Sequence, residues 1–264
     1  MRETFAAIWA YRYFIASSIK NELRLRFVRS KLGGLWMIIH PLVQVLIFAL
    51  ILSEVLAAKL PGVDNKFAYA LYLLSGILCW TLFSETLGKF TSLFVDNGNL
   101  LRKMAFPRIC LPIIAGGSML VNNLLLMAAI FGVFLCLGHM PGSQAWWLPV
   151  LILITVSLSM AVGMLLGVMN VFMRDIGQIV PVFLQAFFWL TPIVYSVAIL
   201  PDRYRDLFKF NPLYPLVTSY QNVLVFNRPP LWGDLAGLVL ATVAVACVAL
   251  AVFRRASAEM VDSL

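Results

Sequence analysis

The sequence predicts an all-α membrane protein: six transmembrane helices, an amphipathic interfacial helix at the N-terminus, and a re-entrant hairpin on the outer side between spans five and six. Two observations carry this. Six apolar runs, at 35–56, 68–92, 106–138, 146–171, 177–200 and 232–253, are each bounded by charge or by Pro, Gly and Asn clusters. Of 264 residues, 62% are hydrophobic and 12% charged, with a mean hydropathy of +0.92, far from a soluble average. A helix rising about 1.5 Å per residue needs roughly 20 apolar residues to cross about 30 Å of hydrocarbon. Within a bilayer every backbone polar group must be satisfied inside its own segment, so the runs are predicted to be helices.

The basic residues set the orientation. Six spans place the N-terminal 34 residues, the 2–3 and 4–5 loops and the C-terminus on one side. That side holds fourteen Lys and Arg, from Arg2 to Lys31, then Lys89, Arg102, Lys103, Arg108, Arg174, Arg254 and Arg255. The other holds six: Lys59, Lys66, Arg203, Arg205, Lys209 and Arg228. Both termini are therefore expected in the cytoplasm. The net charge of +8 is positive-inside anchoring rather than a nucleic-acid footprint. The organisation is an interfacial or cytoplasmic segment at 1–34, a six-helix membrane domain at 35–253 and a cytoplasmic tail at 254–264.

In residues 1–34, Phe5, Ile8, Trp9 and Tyr13 recur at helical spacing, and Ile19, Leu23 and Phe27 form a second stripe beside Lys20 and Arg24. This suits either a helix lying in the membrane interface or an ordinary basic juxtamembrane anchor. No continuous apolar h-region is present, so no cleavable signal peptide is expected. The first span opens at Gly33-Gly34-Leu35-Trp36 and meets Pro41, where a kink or a helix start is expected. In the second span Glu85 and Lys89 stand at i and i+4, the favourable order for a helical ion pair. The third run carries Asn122 and Asn123 at mid-depth, either as interhelical glue or as part of a polar passage. Gly163 and Gly167 give the fourth span a small-xxx-small packing face. The fifth is interrupted by Pro181 and Pro192. Leu213 to Phe226 is apolar but too short to span, which suggests a re-entrant or interfacial hairpin.

Much chemistry is missing. The spans hold almost no ionisable residues, which argues against proton or sodium coupling. His40 and His139 belong to no metal-spaced His, Cys and Glu set and are expected to be structural. Cys79, Cys110, Cys136 and Cys247 have no paired spacing and are most simply small buried residues, with neither a disulfide frame nor a metal site. No phosphate-binding loop is present: Gly88-Lys89 continues into Phe90 and lacks the upstream glycine. No nucleophile elbow appears either. Any energy for transport is expected to come from another subunit.

Three segments together are similar to the membrane subunits of ABC-type polysaccharide exporters, the O-antigen, capsule and teichoic-acid permeases. The first is Arg26-Phe27-Val28-Arg29-Ser30-Lys31-Leu32-Gly33-Gly34-Leu35-Trp36 with Pro41. The second is Asn99-Leu100-Leu101-Arg102-Lys103 followed by Phe106-Pro107-Arg108 and Pro112. The third is Arg174-Asp175-Ile176, then Thr191-Pro192-Ile193 and Tyr195, with Asn211-Pro212 downstream. Each motif alone is weak; their order and spacing over nearly the whole chain make the resemblance specific.

The resemblance implies a homodimer of six-span subunits in the bacterial inner membrane. Each would dock on a separate ATP-binding subunit that holds the ATP and Mg, and together they would export a lipid-linked glycan. This chain would bind no cofactor or metal and would not be an enzyme. The family's amphipathic helix maps onto residues around 3–16, its coupling helix onto Asp96 to Met104, and a second contact with the ATPase onto Arg174 and Asp175. Within the coupling helix Asn99, Leu100, Leu101, Arg102 and Lys103 are the expected contacts. Asp96, Asn97 or Asn99 can cap it, and Phe106-Pro107 ends it. Short outer-side helices map onto 201–231. Arg26, Arg29 and Lys31 are placed to meet a lipid diphosphate headgroup, or serve only as positive-inside anchors. Tyr69, Tyr72, Trp80, Phe83 and Phe90 recur at steps of three and four and form either a glycan path or an ordinary packing face. Two rival readings are an ABC permease of the same architecture exporting a lipid or drug, and a membrane-embedded transferase acting on a lipid carrier. The latter would need a carboxylate or histidine cluster at one membrane face.

Overall fold

A computed structural model describes residues 9–28, 68–103, 109–197 and 210–257, with isolated positions at 35, 36, 39, 42, 43, 46, 47, 208, 259 and 260. The side chains of 25–28 and 103 fall outside the description. So do most of the first apolar run, Arg29, Lys31, His40 and the Phe106-Pro107-Arg108 motif.

Every regular element among the described residues is helical. In chain order they are α1 (Arg12–Val28), α2 (Ala68–Asp96), the six-residue α3 (Gly98–Lys103), α4 (Cys110–Cys136), α5 (Leu148–Phe172), α6 (Ile176–Leu190), α7 (Tyr214–Gln221) and α8 (Trp232–Ala256). A 3-10 turn, Ser143–Trp147, leads into α5, and a π-helical turn, Asn222–Phe226, continues α7. Four helices are long and apolar enough to cross a membrane: α2, α4, α5 with its 3-10 lead-in, and α8. At 29 residues α2 is about 43 Å long, more than the hydrocarbon thickness, so it projects beyond it.

Local chemistry fixes the boundaries. Pro149 stands in the first turn of α5, where its missing N–H costs no hydrogen bond. The helix of the fifth run stops at Leu190 rather than continuing to 200. Thr191 precedes Pro192 and is extended (φ −102°, ψ 134°), as a residue before proline prefers. In α8 Asp234 occupies the first turn and Arg254 and Arg255 the last, each complementing the helix dipole.

The long helices run alternately between two ends of the bundle. One end carries α3; the other carries α7 and its π turn, here the hairpin end. Around α2 the packing is closest against α5, where Gly163 and Gly167 face Leu87 and Phe90. A Cβ on Gly163 would lie 2.6 Å from the Phe90 Cβ, and one on Gly167 would run into the Phe90 carbonyl oxygen. The small-xxx-small face therefore seats α5 on the α2 backbone. The main core joins α2, α4, α5, α6 and α7 around Leu71, Leu78, Phe134, Leu151 and Tyr220. A second core at the α3 end joins Phe90, Phe94, Leu101, Val168 and Phe253, with the Phe94 and Phe253 rings stacked 5.5 Å apart. A small third cluster docks α1 on α4 through Ile15, Cys110 and Ile114.

Two expectations are corrected. Of the four cysteines, Cys79 and Cys110 are buried, but Cys136 and Cys247 are exposed on α4 and α8; all are free. Their apolar helices give an exposed position a lipid-compatible side chain as readily as a buried one. The expected Glu85–Lys89 pair also yields to tertiary partners. Lys89 Nζ lies 2.7 Å from Glu22 Oε1 of α1. Glu85 Oε2 instead accepts from Asn122 Nδ2 of α4 at 2.8 Å.

Candidate functional site

At the α3 end, α2 closes on Asn97. The Asn97 side-chain amide donates to Leu93 O at 2.8 Å, while its backbone carbonyl accepts from Leu100 and Leu101 N–H at 3.0 Å. One residue thus ends α2 and starts α3, so the residue expected to cap α3 by its side chain does so by its carbonyl. Asp96 accepts from Ser92 Oγ at 2.6 Å. In α3, Leu101 is buried against the second core and Leu100 packs at its edge, whereas Asn99 and Arg102 are exposed. Lys103 closes the helix.

Arg174 and Asp175 form an exposed turn between α5 and α6, with Asp175 O accepting from Gln178 and Ile179 N–H. A residue the sequence reading passed over binds this turn to α2. Asn170, buried near the end of α5, donates through Nδ2 to Thr91 O at 2.9 Å and accepts from Gly177 N–H at 2.8 Å. Its signal was available: an amide one turn from the end of an apolar run demands partners. On the other side of α2, Glu22 holds Lys89 and also accepts from Ser118 Oγ at 2.7 Å, joining α1, α2 and α4. Arg26 lies on the last turn of α1, four residues beyond Glu22; Arg29 and Lys31 lie outside the described residues.

The aromatic stripe of α2 is turned mostly into the subunit. Tyr69, Tyr72, Phe83 and Phe90 are buried, and Trp80 is half-buried among Phe83, Phe187 and Phe188. The Tyr69 and Tyr72 hydroxyls donate to Val194 O (2.7 Å) and Tyr195 O (3.2 Å), fixing the Thr191–Tyr195 segment against α2. Gly76 makes room for it: a Cβ there would meet Ile193 and Gln221, each at 3.1 Å. Asn211 fastens the same segment to α7. Its Nδ2 reaches Leu190 O (3.0 Å) and Thr191 Oγ1 (3.1 Å), and its Oδ1 accepts from Leu213 N–H (2.8 Å). His139 is structural, with Nε2 2.9 Å from Leu224 O and its ring edge-on to Phe134.

Between these pieces at the hairpin end lies a cavity of about 340 Å³. Its walls come from Tyr72 on α2, Pro192, Ser196 and Val197 after α6, and Tyr214, Thr218, Gln221, Asn222, Phe226 and Arg228. A second, much smaller cavity of about 10 Å³ lies at mid-bundle beside Glu85, Thr86, Asn122 and Asn123. Asn123 Nδ2 donates to Leu78 O at 3.2 Å. Among the described residues Thr86 Oγ1 and both asparagine Oδ1 atoms have no hydrogen-bond partner, and the space fits about one water. Among the described residues no group of three or more His, Cys, Asp and Glu could hold a metal ion.

A family model described as ABC-2 type transporter matches residues 13–225. The chain is 28% identical over 263 residues to the O-antigen export system permease protein RfbA of Myxococcus xanthus, covering 97% of each chain. It is 25% identical over 209 residues to the protein of the same name from Klebsiella pneumoniae, covering 78% of this chain and 77% of that one. It is also similar to the polysialic acid transport protein KpsM of Escherichia coli, 22% identical over 248 residues and covering 92% and 93% of the two chains.

Proposed function

The chain belongs to the ABC-2 type transporter family and is a multi-pass membrane protein; from that premise we propose that it is the membrane-spanning subunit of an ATP-driven exporter of lipid-linked polysaccharide. The relatives named for O-antigen export and polysialic acid transport support the substrate class. In this reading two copies, each of six spans with both termini cytoplasmic, sit in a bacterial inner membrane. α1 lies along the interface, and α7 with its π turn dips back from the outer side. A separate ATP-binding subunit holds the ATP and Mg and docks on α3 and the Arg174–Asp175 turn.

The observation that carries this reading is the way those two surface elements are tied to the bundle. α3 drives Leu101 into the second core, and Asn170 bonds the Arg174–Asp175 turn to the α2 backbone. A push on either element moves α2 and α5 as one body, because Gly163 and Gly167 leave no slack between them. Arg26, Arg29 and Lys31 gather cations where a diphosphate headgroup would arrive, and guanidinium forks bind phosphate bidentately. The stripe Tyr69, Tyr72, Trp80, Phe83 and Phe90 remains the proposed glycan path, and Tyr72 is its member that reaches the large cavity.

Cysteines introduced at Asn99, Arg102 and Asp175 should crosslink to the ATP-binding subunit. Charge reversal at Arg102 and Lys103 should leave ATP hydrolysis running while export falls. Absence of any crosslink, with export surviving the reversal, would make α3 a topological anchor and end the reading. Arg26→Lys and Arg29→Lys should lower export with protein level and topology unchanged; full export would leave anchoring as their role.

A further inference from the structure

The cavity at the hairpin end is built of different chemistry from the rest of the bundle. Elsewhere the polar side chains Asn170, Asn211, Tyr69 and Ser118 are bonded to neighbouring helices or loops. In the cavity wall Tyr214, Thr218 and Asn222 make no side-chain hydrogen bond among the described residues, and Arg228 makes no ion pair there. The Arg228 guanidinium rests over the Phe226 ring at 5.7 Å, and that ring meets Tyr72 edge-on at 6.3 Å. About 340 Å³ lies within the roughly 300–1,000 Å³ of small-molecule sites.

A pyranose ring shows apolar C–H groups on its faces and hydroxyls, each both donor and acceptor, around its rim. A site for it needs an aromatic wall and short polar side chains of mixed hydrogen-bonding sense. Tyr72 and Phe226 supply the first; the Thr218 hydroxyl, the Asn222 amide and the Tyr214 hydroxyl supply the second. Among the described residues the wall contains one cation, Arg228, and no carboxylate. A guanidinium fork without an anionic neighbour selects a carboxylate, which it can grip bidentately.

We propose that this cavity binds one sugar residue of the transported glycan, with preference for a residue bearing a carboxylate, which Arg228 receives. The proposal rests on the exporter reading and adds a subsite at the hairpin end, where the chain would leave the bundle. Its position beside Pro192 and the π turn means that an occupied cavity would brace α7 against the end of α6.

Equilibrium dialysis of the purified complex in nanodiscs, with radiolabelled glucuronate, glucose and pyrophosphate, tests it. Glucuronate should bind at least tenfold more tightly than glucose. Arg228→Gln should erase that preference, and Thr218→Val with Asn222→Leu should weaken both sugars at least tenfold. Tyr214→Phe, which removes one oxygen, should weaken both about threefold and guards against misfolding of the double variant. Equal sugar binding by wild type and all variants overturns the proposal, and so does binding of pyrophosphate without either sugar, which would mark a headgroup phosphate site. Export in a strain lacking the chain separates the two readings. Failure of wild type to restore export sinks the exporter reading, whereas restored export with variants that still bind sugar sinks the subsite alone.

Discussion

The two ends of the bundle spend their polar groups differently. At the α3 end polar side chains tie the helices to one another: Glu22 to Lys89 and Ser118, Asn170 to Thr91 and Gly177, while Asn97 closes α2 with its side chain and opens α3 with its carbonyl. At the hairpin end Asn211, Tyr69 and Tyr72 perform that task for the backbone, yet Tyr214, Thr218, Asn222 and Arg228 are left facing a cavity. An end whose helices are tied to one another is suited to transmit force, because moving one of them strains the bonds to the next. An end with spare donors and acceptors is suited to receive a ligand.

Substitutions can break this contrast, the largest first. Gly167→Leu would force α5 off the Phe90 carbonyl and should abolish accumulation in the membrane, measured by immunoblot of membrane fractions. Gly132→Ala, with open space around its Cα, should accumulate normally. Asn170→Leu leaves a buried carbonyl and an N–H without their partner, a cost of about 1–3 kcal/mol each. The purified protein should melt several degrees lower, and ATP hydrolysis should continue with less export per ATP. If melting falls while that ratio is unchanged, the α3 end holds the bundle together but does not transmit.

A double-mutant cycle on Glu22→Gln and Lys89→Met sharpens the comparison. The pair is about three-quarters screened from solvent, so a coupling of about 1 kcal/mol is expected from thermal stability. A coupling near zero would mean that the ion pair adds nothing to the Ile15 and Ile19 packing and the Ser118 hydrogen bond that also hold α1. The smallest effect should come at the other end. Asn227 adopts a left-handed conformation (φ 50°), which glycine accepts without penalty, and its Oδ1 accepts from Gln144 N–H at 3.2 Å. Asn227→Gly should change the melting temperature by no more than a degree or two.

What could be seen in the sequence followed hydropathy closely. The runs at 68–92 and 232–253 lie inside helices Ala68–Asp96 and Trp232–Ala256, and 146–171 lies inside the 3-10 turn and helix that together cover Ser143–Phe172. Leu213 to Phe226 is matched by a short helix and π turn almost residue for residue, because Pro215 and Asn227 punctuate it. The 177–200 run ended early because proline geometry outranks hydropathy. The Glu85–Lys89 pair failed for a different reason: helical spacing counts local partners only, and Glu22 and Asn122 come from 63 residues before Glu85 and 37 after it. The large cavity was invisible for the same cause, since Tyr72, Pro192 and Asn222 converge only after folding. Of the residues expected to meet the ATP-binding subunit, α3 and the Arg174–Asp175 turn were legible as motifs, but Asn170, which joins the turn to α2, was not singled out.

The π turn at Asn222–Phe226 carries one more residue than an α-helical turn would need. Such a surplus is a stored insertion. Removing one residue from it would regularise the helix and re-aim the side chains of the turn that line the cavity, Asn222 and Phe226, without turning the chain beyond it. A helix that tolerates this defect gives a lineage a ready dial: a single-codon deletion would reshape the cavity at the hairpin end while the described membrane-spanning helices keep their register.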